Sequence, residues 1–155
     1  MKPLQLLSML AFVLLWACGL SSASAQAEKA SAGEVTVRVE GFTGKDGIAL
    51  VALFGSEETW LEIPKAVQVV RAKITGKTLS VKFRGVRPGT YAVEVIHDEN
   101  KNNKLDMRWL PYPKPKEGAG ASQGAKGKMG PPKWKDAKFT VGDKPVTVTV
   151  KLQYL

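Results

Sequence analysis

The chain has 155 residues, with 23 Lys and Arg against 14 Asp and Glu, one Cys and one His. A single cysteine excludes an internal disulfide framework, and a lone histidine cannot build a usual zinc site without other N or S ligands. The formal charge of +9 favours anionic partners but says nothing of the fold.

Residues 1–25 read as a signal peptide. Met1-Lys2 is a short positive start, Leu4 to Leu15 is apolar apart from Gln5 and Ser8, and Ala23-Ser24-Ala25 is a small-x-small cleavage pattern. Cleavage near Ala25 predicts a periplasmic or secreted protein. Leu15-Trp16-Ala17-Cys18 leaves an alternative, a lipoprotein acylated and anchored through Cys18. The leader is short for a spanning helix, which needs about 20 apolar residues, and no later segment comes closer. The mature chain is therefore expected to have no transmembrane segment. Removing Lys2 with the leader leaves 22 Lys and Arg against 14 Asp and Glu, or +8, on about 130 residues, enough for one core.

The mature part alternates with period two. Glu34 to Glu40 sets Val35, Val37 and Val39 on one face. Gly44-Lys45-Asp46-Gly47 is a hairpin-type turn into Ile48 to Phe54, a run apolar on both faces, as a central strand requires. Ala66 to Ile74 and Thr78 to Arg84 follow, the latter with Leu79, Val81 and Phe83 inward. After Arg87-Pro88-Gly89, the set Tyr91, Val93, Val95 and His97 alternates with Ala92, Glu94 and Ile96. Ala137 to Val141 and Val146 to Leu152 complete the pattern. The expected fold is all-β: a single antiparallel β-sandwich of about seven strands over 33–155, with one long loop inserted before the last two strands.

That inserted connection, 98–133, is rich in Gly and Pro and poor in β-branched residues. A loop of this length in a small domain is usually functional or disordered. Gly118 to Gly127 reads as flexible, whereas Trp109 to Pro113 has the apolar content to pack back on the sandwich. Between Lys101 and Lys138 there are ten Lys and Arg against Asp106, Glu117 and Asp136, so most of the excess positive charge lies here. With Trp109, Tyr112 and Trp134 interleaved, the expected partners are anionic envelope polymers or lipid headgroups. An exported protein is not expected to meet nucleic acid.

The stretch that opens this loop carries the most specific chemistry. Asp98, Asn100, Asn102, the carbonyl of Lys104 and Asp106 stand at relative positions 1, 3, 5, 7 and 9, where loops present oxygens to Ca2+. With two carboxylates among these ligands and Trp109 at position 12, a weak, mainly structural ion is expected. The competing reading is a string of Asx turns that needs no metal. His97 and Ser122 are candidates for catalysis, but no partner group is placed beside either, so the chain reads as non-enzymatic. Tyr91 reads as a tyrosine corner and Trp60 as a cover over an open end of the sandwich.

Several segments in order also resemble a known family. They are Pro88-Gly89-Thr90-Tyr91, His97-Asp98-Glu99-Asn100, Asn102-Asn103-Lys104-Leu105-Asp106, Pro115-Lys116-Glu117, Gly120-Ala121-Ser122-Gln123 and Gly130-Pro131-Pro132, followed by Trp134, Ala137 and Phe139. Together they resemble the bacterial secreted family catalogued as domain of unknown function 2141, over roughly Val35 to Tyr154. Asn103 stands where that family usually has Gly, Ala121 where an aromatic is common, and Gln123 where Asn is usual. The resemblance implies a small exported sandwich similar to prealbumin-like or immunoglobulin-like domains and no established activity.

Two functional readings follow. The first is an exported, non-enzymatic binding or interaction module of the bacterial envelope, with a candidate structural calcium site in 98–106. The second is a carrier or enzyme for a small apolar or sugar-like ligand, with a pocket between the long loop and the sheet lined by Trp60, Trp109 or Trp134.

Overall fold

The computed structural model describes residues 33–109, 111, 113–127 and 130–155. The expected leader at 1–25 and the alternative anchor at Cys18 lie outside them, as do Tyr112 and Lys128 of the basic loop.

The β-rich pattern folds as a sandwich. β1 (Gly33–Glu40) lies between β10 (Val146–Lys151) and β4 (Thr78–Val86). The opposing sheet runs β3 (Gln68–Ala72), β2 (Ile48–Phe54), β5 (Gly89–Asp98), β8 (Ala119–Ala121). The first third of β5 pairs instead with β9 (Phe139–Val141), through Gly89↔Val141 and Tyr91↔Phe139. Val35, Val37 and Val39 point inward with Val81, Phe83, Val148 and Val150, and meet Val51, Leu53, Val93 and Val95 of the other sheet. Period-two alternation makes this possible because one face of each strand is apolar.

The expected strands are present, and the structure refines three points. First, β1 and β10 pair in parallel, Val35↔Val146 through Glu40↔Lys151, where an antiparallel sandwich is expected. Alternation is the same in either direction, and the whole intervening domain serves as the crossover that a parallel pair requires.

Second, the segment read as flexible is partly sheet. Ala119–Ala121 hydrogen-bonds along Glu94–Ile96 of β5, and Ala119 exchanges both backbone bonds with Gln153. At Gly120 a Cβ would meet the Lys151 carbonyl oxygen at 2.7 Å, so glycine allows β8 to lie against the strand end. The rest of the loop adds a small hairpin, β6 (Met107–Arg108) with β7 (Lys114–Pro115), and a single helical turn, α1 (Trp134–Ala137).

Third, the outer face of the β2–β5 sheet is covered rather than wet. Ala52, Phe54 and Ala92 pack there with Ala121, Trp134 and Ala137, and Trp60 caps the group. The rings of Phe54, Trp60 and Trp134 meet edge to face at 5.2 and 5.8 Å, and Trp60 Nε1–H donates to the Pro132 carbonyl at 2.8 Å. Trp60 is a cover, as its position in sequence predicts.

Candidate functional site

The site begins where β5 ends. Asp98 pairs with Ile48 across the strand and is fully buried. Gly47, at φ +73°, presses its Cα against this strand end, and a Cβ there would strike the Asp98 carbonyl oxygen. The tight turn read from Gly44 to Gly47 thus fixes where Asp98 sits at the start of the loop.

Beyond Asp98 the chain curls around side-chain oxygens. Asp98 Oδ1 accepts the Asn102 N–H at 3.0 Å and Oδ2 accepts the Asn103 N–H at 2.7 Å. Asn100 Oδ1 accepts the same Asn102 N–H at 3.0 Å, and Asn102 Oδ1 accepts the Lys104 N–H at 3.0 Å. The Asn100 and Asn102 amides donate to Asp106 Oδ2 and Oδ1 at 2.6 and 3.0 Å. These amide bonds, Asn102 first, hold the Asp106 carboxyl below its ordinary value, with Lys104 and Lys116 adding to the effect against desolvation. Lys101 and Asn103 both take φ 62°, and Asn103 fits the left-handed position where such loops usually carry glycine.

The five positions read from sequence therefore fall in one compact loop. Asp98, Asn100, Asn102 and Asp106 are tied together by direct bonds, and Lys104 enters through its backbone. The bonds are those of Asx turns, so the metal-free reading accounts for the loop as it stands. Among the described residues no three His, Cys, Asp or Glu side chains group as metal ligands. An ion here would thus rest on amide and carbonyl oxygens as much as on carboxylates. It would also require the Asn100 and Asn102 amides to turn their oxygens, in place of their NH2 groups, toward Asp106.

Sequence reasoning missed Glu117. This buried carboxylate accepts the Glu99 N–H through Oε1 and the Asp106 N–H through Oε2, both at 3.1 Å, clamping the two ends of the loop. The Lys116 N–H donates to the Asp106 carbonyl and the His97 N–H to the Gly118 carbonyl, which closes the frame. The available signal was an isolated acid within a run of lysines, adjoining Gly118.

The two catalytic candidates are separately occupied. His97 is buried, with Nε2 2.8 Å from the Asp46 carbonyl and Nδ1 2.8 Å from the Tyr154 hydroxyl. Since the Asp46 carbonyl can only accept, the ring carries its hydrogen on Nε2, and Nδ1 accepts the Tyr154 hydroxyl proton while Tyr154 Oη accepts the Thr43 N–H. His97 thus fastens the turn before β2 and the C-terminal segment to β5. Ser122 Oγ accepts the Val93 N–H at 2.9 Å and donates to the Ala137 carbonyl at 2.6 Å, fully buried. Tyr91 donates to the Arg87 carbonyl at 2.9 Å, the corner expected of it.

The aromatic lining expected for a pocket does not assemble. Trp60 and Trp134 pack on each other, while Trp109 stands 68% exposed beyond the β6 strand and contacts neither ring among the described residues. Glu94 alternates with Val93 and Val95 and so lies on the outer face of its sheet, where it is only 7% exposed, between its cross-strand partners Ala52 and Ala121. Among the described residues its Oε2 is the buried side-chain oxygen without a hydrogen-bond partner, and desolvation pushes its carboxyl up to about 8.

No helix among the described residues is long and apolar enough to cross a membrane. No curated protein and no solved structure matches the chain. The profile of a bacterial family matches residues 37–149, which span the sandwich, the 98–106 loop, Glu117 and Ser122. The chain therefore belongs to the family described as "Uncharacterized protein conserved in bacteria (DUF2141)".

Proposed function

We propose that this protein is an exported, non-enzymatic interaction module of the bacterial envelope, with the 98–133 connection as its working element. The observation that carries the reading is how that connection is built. It is bound into the scaffold at its start by the Asp98 turn and in its middle by the Glu117 clamp and β8, while Lys101, Lys104, Arg108 and Lys116 remain exposed. Such a frame presents positive charge at low entropic cost, which favours anionic envelope polymers or lipid headgroups as partners. The occupation of His97 and Ser122 by structural bonds supports a role without catalysis.

A calcium ion held by Asp98, Asn100, Asn102, the Lys104 carbonyl and Asp106 belongs to the same proposal, as a structural brace for the loop. Two carboxylates in the set favour weak binding, on the order of 0.1–1 mM as in extracellular modules. Calcium is then expected to raise the melting temperature and slow proteolysis within 98–106, and Asp98→Ala or Asp106→Ala abolishes both effects. If the wild type melts and digests identically with calcium and with chelator, the brace is excluded. For the module itself, cell fractionation is the test. The protein should be retained with envelope material at low salt and released at high salt. Free partition at low salt would remove the interaction reading.

A further inference from the structure

We infer that the hairpin tip carrying Trp109 docks on the surface of an anionic lipid bilayer, with the indole seated at headgroup level and the neighbouring cations facing the lipid phosphates. The inference rests on the interaction-module reading and names its partner. Three observations carry it.

The first is the indole itself. Trp60 and Trp134 are packed into the cover of the β2–β5 sheet, whereas Trp109 leaves 68% of its surface in water, the most of the exposed large hydrophobic residues among those described. The second is where it stands. β6 and β7 pair through Met107↔Pro115 and Arg108↔Lys114, and the Lys116 N–H bonds the Asp106 carbonyl at the base. Trp109 is therefore the first residue past a paired ladder, and Pro111 and Pro113 beyond it are exposed as well. The third is charge. Arg108 is exposed beside the indole, and Lys104 and Lys116 are exposed at the hairpin base, where the Lys116 N–H bonds the Asp106 carbonyl. Asp106, the acid among them, keeps its negative charge under the Asn100 and Asn102 amides, and the three cations still leave this end of the hairpin net positive.

Tryptophan favours the water–lipid interface because its ring is apolar and its N–H needs a polar partner, and basic residues beside it are drawn to anionic headgroups. A soluble polyanion would engage the cations alone and gives no reason to hold an indole out in water. One indole with three cations fits a reversible surface contact and not insertion.

The test uses protein purified as the cell processes it, floated with vesicles of phosphatidylcholine alone or with about one-third phosphatidylglycerol. Binding is expected to the anionic vesicles only, to weaken with salt, and to shift tryptophan emission to shorter wavelength. Trp109→Ser should lower the partition coefficient about tenfold or more at an unchanged melting temperature, and Trp109→Phe should keep most of it. Vesicle binding that ignores Trp109→Ser overturns the inference. So does retention on dextran sulfate or on envelope material without vesicle binding, although the interaction-module reading then stands. Retention on none of these removes both.

Discussion

Glu94 offers the sharpest test of the packing described above. Its carboxyl lies under the long connection with Oε2 unpartnered, and burial pushes it from 4.5 up to about 8. Below pH 4.5 both folded and unfolded chains carry the proton, and the side chain costs nothing electrostatic. Between 4.5 and about 8 the unfolded chain releases it while the folded chain keeps it, so stability falls as pH rises. At about 1.4 kcal/mol per pH unit, this interval is worth on the order of 5 kcal/mol by pH 8, after which the loss levels off. That is a large part of a typical domain's stability of about 5–15 kcal/mol. Replacing Glu94 by Gln keeps the shape and removes the ionisation, but leaves a neutral amide buried at a cost of about 1–3 kcal/mol. Urea unfolding of wild type and Glu94→Gln from pH 5 to 9 therefore predicts a crossing. The variant is the less stable near pH 5 and the more stable by about 3 kcal/mol at pH 9. Taking the difference between the two proteins cancels the titration of every other group. A difference that stays constant across this range would show that Glu94 ionises like an exposed acid, and the account of a covered sheet face would be wrong.

Two further substitutions probe the frame of the loop. Glu117→Ala removes the acceptor shared by the Glu99 and Asp106 amides. It should cost about 1–3 kcal/mol and markedly speed protease cleavage within 98–106; unchanged cleavage would mean that Glu117 does not clamp the loop. Ser122→Ala strips partners from the Val93 N–H and the Ala137 carbonyl in a fully buried place. It should lower stability by about 2–4 kcal/mol, and a change below about 0.5 kcal/mol in chemical denaturation would refute its role as a tie between β5 and α1.

Much of this architecture is legible without coordinates because strand alternation is a local property. The Val35, Val37, Val39 row and the doubly apolar Ile48–Phe54 run each declare which faces are buried, and the structure places them accordingly. The loop at 98–106 is legible for the same reason, since Asp and Asn bond to backbone two to five residues away whatever the rest of the chain does. Gln123 shows how far such reasoning reaches. It stands where the family usually has Asn, and it still takes φ 57°, because the turn is held by Ser122 on one side and glycine on the other.

The amino-acid order alone fixed the strand content, the turn at Gly44 to Gly47, the Asx-rich loop and the concentration of positive charge after residue 100. Each is set by residues close together in the chain. Long-range contacts decided the parallel pairing of β1 with β10, the recruitment of Ala119–Ala121 into the sheet, the clamp by Glu117, the burial of Glu94 and the separation of Trp109 from the packed Trp60 and Trp134. Those depend on which surfaces meet once two sheets and a 36-residue connection are closed together. Periodicity names the faces of a strand, but only the packed whole settles what lies against each one.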